Sequence, residues 1–293
     1  MAFDLTGKTA VITGATSGIG MAAAQLFVQS GAYVIGVGRS QSRNKKARTT
    51  IKNAFPDGNI NYLLADLSIQ KEVRALAIEI PILLEKYGVS HLDVLINNAG
   101  IYLEKKQETI DGIEMTFAVN HLAGFILAHG LSPLLTRSDN GRIISVSSYS
   151  HFTTPMNLDS ISNPWPYIGL LAYKRSKLCN MLFTHEFNRR FNKITAFALD
   201  PGLVNTPIAS KGSKGVSHMV WRKRREKGTA PEVPAQTLLY LAGESEIDTS
   251  KGFYFKDCAP KPPSRKSKNA DLANQLWEKS SQLTGLQWLE GEF

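Results

Sequence analysis

A chain of 293 residues with 43% hydrophobic and 20% charged positions can bury a full core, which excludes a disordered chain and fits one large α/β domain with an appended tail. Its two cysteines, Cys179 and Cys258, and six histidines have no paired spacing, so neither a disulfide framework nor a metal site is expected, and a reducing compartment fits. The net charge of +9 is concentrated between Pro201 and Ala230, where Lys211, Lys214, Arg222, Lys223, Arg224, Arg225 and Lys227 oppose only Glu226. No aromatic platform accompanies these charges, which argues against a nucleic-acid partner. A solvated basic loop is one reading, and contact of 211–227 with an anionic membrane surface is the other.

The first residues lead straight into a strand, with no basic leader, apolar signal core or 18-residue apolar run, so a soluble cytoplasmic protein is expected. Apolar β-branched runs then predict strands at Thr9–Ile12, Tyr33–Val37, Ile60–Leu64, Leu92–Ile96, Arg142–Val146 and Ile194–Leu199, with a shorter seventh at Gly252–Phe255. Apolar residues at three- and four-residue steps predict helices over Met21–Val28, Val73–Leu84, Phe117–Leu135 and Leu178–Phe191, then from Pro231 toward Ala242 and from Ala270 to Leu283. This alternation predicts right-handed crossovers and a doubly wound, parallel, seven-stranded sheet of the Rossmann type in a single domain. The predicted division is 1–258 for that domain, with a substrate lid at about 203–230, and 259–293 for a connector and last helix. The Lys/Pro/Ser-rich connector at Pro260–Lys268 is expected to be exposed.

The motifs fall at the carboxyl ends of the predicted strands. After the first comes Gly14-Ala15-Thr16-Ser17-Gly18-Ile19-Gly20, where glycines permit a tight turn and close approach to a pyrophosphate bound by free N–H groups at a helix start. After the second stand Arg39 and Ser40. An NAD site would place an acid here, whereas Arg39 suits a 2′-phosphate, so NADP(H) is the expected cofactor. Asp66 and Leu67 follow the third strand and could reach the adenine amino group, with helix capping by Asp66 as the rival role. Asn97-Asn98-Ala99-Gly100 follows the fourth, and Asn97, Ala99 and Gly100 are candidates to hold the ribose region. Asn120 interrupts an apolar helix and needs buried partners. Ser148 ends the fifth strand.

Tyr173 and Lys177 stand four residues apart on predicted helix, so both side chains project from one face. A nearby ammonium should favour the phenolate and lower the Tyr173 pKa toward the working range. Tyr102-Leu103-Glu104-Lys105-Lys106 repeats the spacing in a predicted loop without an upstream serine, so Tyr102 reads as a loop residue beside solvated lysines.

Together these motifs resemble the short-chain dehydrogenase/reductase superfamily over roughly residues 5–256. The resemblance implies a tetrad of Asn120, Ser148, Tyr173 and Lys177, of which Asn120, Tyr173 and Lys177 also meet the cofactor. It also implies nicotinamide contacts from Pro201, Gly202, Val204 and Thr206, and a homodimer or tetramer. The apolar helices from Phe117 and Leu178 would offer surfaces for assembly or be ordinary core. Between Ser148 and Tyr173 lie 24 residues, about twice the family's usual interval. That gap, with Tyr173-Lys174-Arg175-Ser176-Lys177-Leu178 and the tail pattern Phe255-Lys256-Asp257-Cys258 then Leu276-Trp277-Glu278, resembles the retinol-dehydrogenase-like branch. The implied activity is hydride transfer between nicotinamide and a small-molecule carbonyl or alcohol. A lipophilic substrate would be walled by Tyr149, Phe152, Met156, Trp165 and Tyr167 and by Ile208, Val216, Met219, Val220 and Trp221. A reductase of soluble ketones and a non-catalytic cofactor sensor are the alternatives.

Overall fold

The computed structural model describes residues 3–205 and 227–288. Its strands are β1 (Thr9–Thr13), β2 (Tyr33–Gly38), β3 (Ile60–Leu64), β4 (Val94–Asn97), β5 (Gly141–Val146), β6 (Ile194–Leu199), β7 (Tyr254–Lys256) and β8 (Ala259–Pro260). They form one sheet in the order β3-β2-β1-β4-β5-β6-β7-β8. The first seven pair in parallel, as the alternation predicted.

The eighth strand was not expected, and it runs antiparallel to β7, with Phe255 opposite Pro260 and Lys256 opposite Ala259. Asp257 and Cys258 between them both have positive φ, 51° and 59°, the backbone of a tight hairpin turn. A proline is tolerated in β8 because it lies on the sheet's edge. The chain after 258 therefore continues the sheet instead of starting an appendage.

Helices cover both faces, and the strands are apolar on both sides, as parallel strands must be. Along β1, Val11 faces one core while Ala10 and Ile12 face the other. Helices α3 (Gln70–Lys86), α4 (Met115–Leu135) and α5 (Gly169–Arg190) bury Leu76, Ile80, Ile126, Leu127, Phe183 and Phe187 in the first core. Helices α1 (Gly18–Gln29), α2 (Gln41–Ala54) and α6 (Glu232–Gly243) contribute Phe27, Ile51 and Leu238 to the second. The periodicity missed α2 because its buried stripe is one residue wide and partly polar: Asn44, Ala47 and Ile51. Asn44 earns its burial by donating to Gly38 O (3.1 Å) and Leu63 O (3.0 Å).

The last helix, α7 (Ala270–Thr284), lies on α5. Its Trp277 stacks on Phe183 at 5.8 Å and meets Phe125 edge-on at 5.1 Å, and Trp288 follows at 4.7 Å from Trp277. Most of α4 and α5 is thereby buried within the chain, so both are core helices. Among the described residues α4 is the one helix long and apolar enough to cross a membrane, but 72% of its most apolar window is buried in the fold.

The connector at Pro260–Lys268 is largely exposed, as its composition suggested, with Pro260, Pro262, Arg265, Lys266 and Lys268 on the surface, but it is pinned to the fold at two points. Ser264 and Ser267 are buried, and Lys266 Nζ donates to Thr154 O at 2.8 Å. Polar composition marks exposure only where the polar groups lack partners inside the fold.

Candidate active site

Where the strand order reverses between β1 and β4, a cleft of about 1450 Å³ opens at the strands' carboxyl ends. That exceeds the 300–1,000 Å³ typical of a single ligand site, leaving room for a dinucleotide and a substrate side by side. The turn from β1 into α1 forms its floor. Gly14 and Gly18 take φ of +68° and +56°, and a Cβ on Gly20 would lie 2.5 Å from Gly14 O and closer still to Asn98 Nδ2. The Ser17 side chain caps none of the first-turn N–H groups of α1, which leaves them for an anion. Gly14, Thr16, Ser17, Gly18 and Ile19 line the cleft, and Gly20 packs behind them.

Thr13, which the sequence did not single out, joins this floor to β4. Its Oγ1 accepts the N–H groups of Asn98 and Ala99, both at 3.0 Å, and donates to Ile96 O. Asn98 Nδ2 in turn donates to Thr13 O at 2.8 Å. Of the Asn97–Gly100 candidates, Ala99 and Gly100 line the cleft but Asn97 does not. Its amide turns to Gly124 O (3.4 Å) in α4, and Asn98 takes the lining position. Successive strand residues face opposite sides of a sheet, so only one of two adjacent amides can meet the ligand.

Arg39 and Arg43 are exposed on the cleft wall, and half-buried Ser40 lines it with them. Ser40 also caps α2 by accepting from Arg43 N. Asp66 and Leu67 line the same end. The Asp66 carboxylate accepts from Ser68 N and Oγ at 2.9 and 2.8 Å, and its own N–H donates to Glu72 Oε2 at 2.6 Å, so it shapes the entry to α3 as well as lining the cleft. With a glycine cradle, uncapped N–H groups and two arginines, these residues fit a dinucleotide bearing a 2′-phosphate.

At the other end Ser148, Tyr173 and Lys177 line one cavity with Pro201, Gly202 and Val204; Thr206 lies outside the described residues. Ser148 leaves β5 in extended conformation and starts a short 3-10 turn, Tyr149–Thr153, accepting Ser150 N with its Oγ. Lys177 is only 2% exposed, and burial lowers its pKa to about 8. Its ammonium donates to Val146 O at 2.9 Å and lies 5.6 Å from the centre of the Tyr173 ring.

The expected lowering of the Tyr173 pKa is not what the structure shows. Burial pushes it up to about 12, hydrogen bonding with Ser148 works against that rise, and the Asp200 carboxylate adds to it. Helical spacing placed Lys177 beside the ring correctly, but burial of the phenol disfavours its charged form.

Asn120 does not reach the cleft. It sits in a π-turn, Ala118–Leu122, where Oδ1 accepts from Ile101 N (2.8 Å) and Nδ2 donates to Ile101 O (3.0 Å) and Ser176 Oγ (2.9 Å). It thus clamps the segment after β4 to the helix carrying Tyr173. Tyr102 is buried, lines the cavity and meets Tyr173 edge-on at 6.1 Å. It is a loop residue as expected, yet it belongs to the site.

The 149–168 stretch supplies fewer walls than predicted. Tyr149, 61% exposed, lines the cavity, but Trp165, at 85% exposed, does not. Phe152 and Met156 pack into a third core cluster, and Tyr167 donates to Leu103 O and Glu114 Oε1. The apolar lining comes instead from Ile101, Leu103, Met115, Val119, Leu170 and Leu203. Ile208, Val216, Met219, Val220 and Trp221 lie outside the described residues.

The sequence pattern of the short chain dehydrogenase family matches residues 8–216. Retinol dehydrogenase 12 of Mus musculus is 32% identical over 289 residues, covering 97% of this chain and 89% of that one. A WW domain-containing oxidoreductase of Gallus gallus is 35% identical, covering 96% and 69%. The crystal structure of an uncharacterized protein from Mycobacterium Paratuberculosis superposes with a TM-score of 0.74 at 31% identity, covering 97% and 96%. With its glycine turn, serine, tyrosine and lysine gathered on one cleft, the chain belongs to the short-chain dehydrogenase family, in its retinol-dehydrogenase-like branch.

Proposed function

We propose that this oxidoreductase uses NADP(H) to interconvert a lipophilic aldehyde or ketone and its alcohol. The observation that carries the reading is that Ser148, Tyr173 and Lys177 line the same cleft as Gly14–Ile19 and Arg39. Arg39 and Arg43 would hold the 2′-phosphate, and the first turn of α1 the pyrophosphate. When bound, the dinucleotide supplies or accepts the hydride at its nicotinamide ring.

The chain's own residues handle the oxygen and its proton. Ser148 donates a hydrogen bond to the substrate oxygen and steadies developing negative charge. Tyr173 holds its phenolic proton at neutral pH, because its pKa lies near 12, and so serves as donor in the reducing direction. Lys177 keeps a positive charge beside the ring as the phenolate forms.

The lining supports the substrate class, since Ile101, Leu103, Met115, Val119, Leu170 and Leu203 make one side apolar. Gln107 and Thr153 on the same cavity favour a second reading, reduction of soluble, more polar ketones. Oxidation of NADPH followed against a panel of aliphatic, retinoid-like and polar carbonyls separates the two. No turnover with any of them would overturn both.

A cytoplasmic site of action goes with this reading. The basic 211–227 segment, of which only Lys227 is described, is the element that would meet an anionic membrane. Co-sedimentation with phosphatidylserine vesicles at low salt tests it, and protein left wholly in the supernatant would reject it. A homodimer or tetramer remains the family-based expectation; most of the apolar residues of α4 and α5 pack within the chain.

A further inference from the structure

The chain beyond β8 reaches back into the active-site cavity. Lys261 Nζ stands 2.6 Å from Asp200 Oδ2 and lies over the rings of Tyr149, Tyr254 and Phe152 at 5.0, 5.6 and 5.9 Å. The other Asp200 oxygen accepts the N–H groups of Gly202 (3.0 Å) and Tyr149 (3.2 Å). Asp200 and Lys261 both line the cavity that holds Tyr173. Three residues on, Ser264 N–H donates to His151 Nε2 (3.3 Å), so His151 Nδ1 carries the proton and donates to Ser148 O (2.7 Å). The last part of the chain is thus wired to the turn that presents the serine.

We propose that Lys261 is a positioning residue for proton transfer: its pairing with Asp200 offsets a carboxylate that would oppose the Tyr173 phenolate, and its contact with Tyr149 steadies the turn at Ser148. This rests on the reading of Tyr173 as the acid-base group. The need for such a cation follows from the geometry. Asp200 is buried, and its two N–H donors hold it as a carboxylate, so without Lys261 an uncompensated negative charge would share the cavity with a phenol that must ionise. Lys177 answers Tyr173 from its own helix and Tyr102 packs from the segment after β4. Lys174 and Lys256 also line the cavity. His151 packs against two of Lys261's aromatic partners, Phe152 and Tyr254, and the Tyr254 hydroxyl faces Asp200. Among the described residues, Lys261 alone forms an ion pair with Asp200.

The test is the pH dependence of kcat/KM with the carbonyl that the wild type reduces fastest. Lys261→Met should move the Tyr173-dependent limb upward by about 1 pH unit, because Lys261 is only partly screened by solvent. At a fixed pH below the limb, the reverse oxidation should fall about tenfold. Lys261→Arg should restore the wild-type limb, and adding Asp200→Asn to Lys261→Met should bring it back by removing the charge that needed offsetting. If Lys261→Met does not fold, as judged by loss of NADPH binding, the double variant and Lys261→Arg still decide: the limb of each should fall within about 0.3 unit of wild type. A Lys261→Met limb superimposed on wild type, or an arginine variant displaced as far as the methionine one, overturns the inference. A Tyr173→Phe variant that keeps turnover removes the parent reading, whereas an inactive one beside an unmoved Lys261→Met limb removes only this one.

Discussion

Lys177 is the residue at which stability and chemistry pull apart. Its ammonium is buried against Val146 O, and burial lowers its pKa from 10.5 to about 8. Between pH 8 and 10.5 the unfolded chain binds more protons at this side chain than the folded one. Its contribution therefore makes the protein more stable as pH rises through that window, and below pH 8 the full cost of burying the charge is present. Lys177→Met should raise stability at pH 7 by an amount on the order of 3 kcal/mol while abolishing turnover; urea unfolding at pH 7 and pH 10 checks this, and the gain should shrink at the higher pH. If Arg39 holds the 2′-phosphate as proposed, Arg39→Asp should weaken NADPH binding at least tenfold while sparing NADH, since it replaces a hydrogen-bond donor to phosphate with an acid suited to a ribose diol. Titration of cofactor fluorescence gives the two dissociation constants.

The element that limits the cofactor end is the turn from β1 to α1. Gly20 has no room for a side chain, because its Cβ would meet the backbone of Gly14 at 2.5 Å. Gly20→Ala should force the turn apart, costing about 1–3 kcal/mol and raising the NADPH dissociation constant more than tenfold. A variant with unchanged melting temperature and affinity would show that the turn relaxes freely. This element was legible from its spacing alone, and so was the Tyr173–Lys177 helix, because a period of 3.6 decides which face a pair shares. Helix α2 was not legible, since a stripe of Asn44, Ala47 and Ile51 carries too little apolar signal. Nor was the choice of Asn98 over Asn97, which depends on the side to which the backbone turns after β4.

Over the whole molecule the C-terminal helix ties the fold together. Trp277 is buried among Phe125, Phe183, Phe187 and Phe191, and Arg190 lies over its ring at 5.0 Å. Trp277→Ala should cost about 3–5 kcal/mol, measured by denaturant unfolding, and a loss below about 1 kcal/mol would mean that α7 is not integral to the core. The amino-acid sequence by itself determined the parallel Rossmann sheet, the glycine turn and the Tyr173–Lys177 pair on one helix face, because these are written in local periodicity and short spacings; that Ser148, 24 residues before Tyr173, shares their cleft is read from the structure. Only the tertiary structure decided that Asn120 is a clamp, that Tyr102 and Lys261 enter the site, and that burial raises the Tyr173 pKa. Each of those depends on desolvation and on partners brought together from distant parts of the chain, and neither quantity is carried by neighbouring residues.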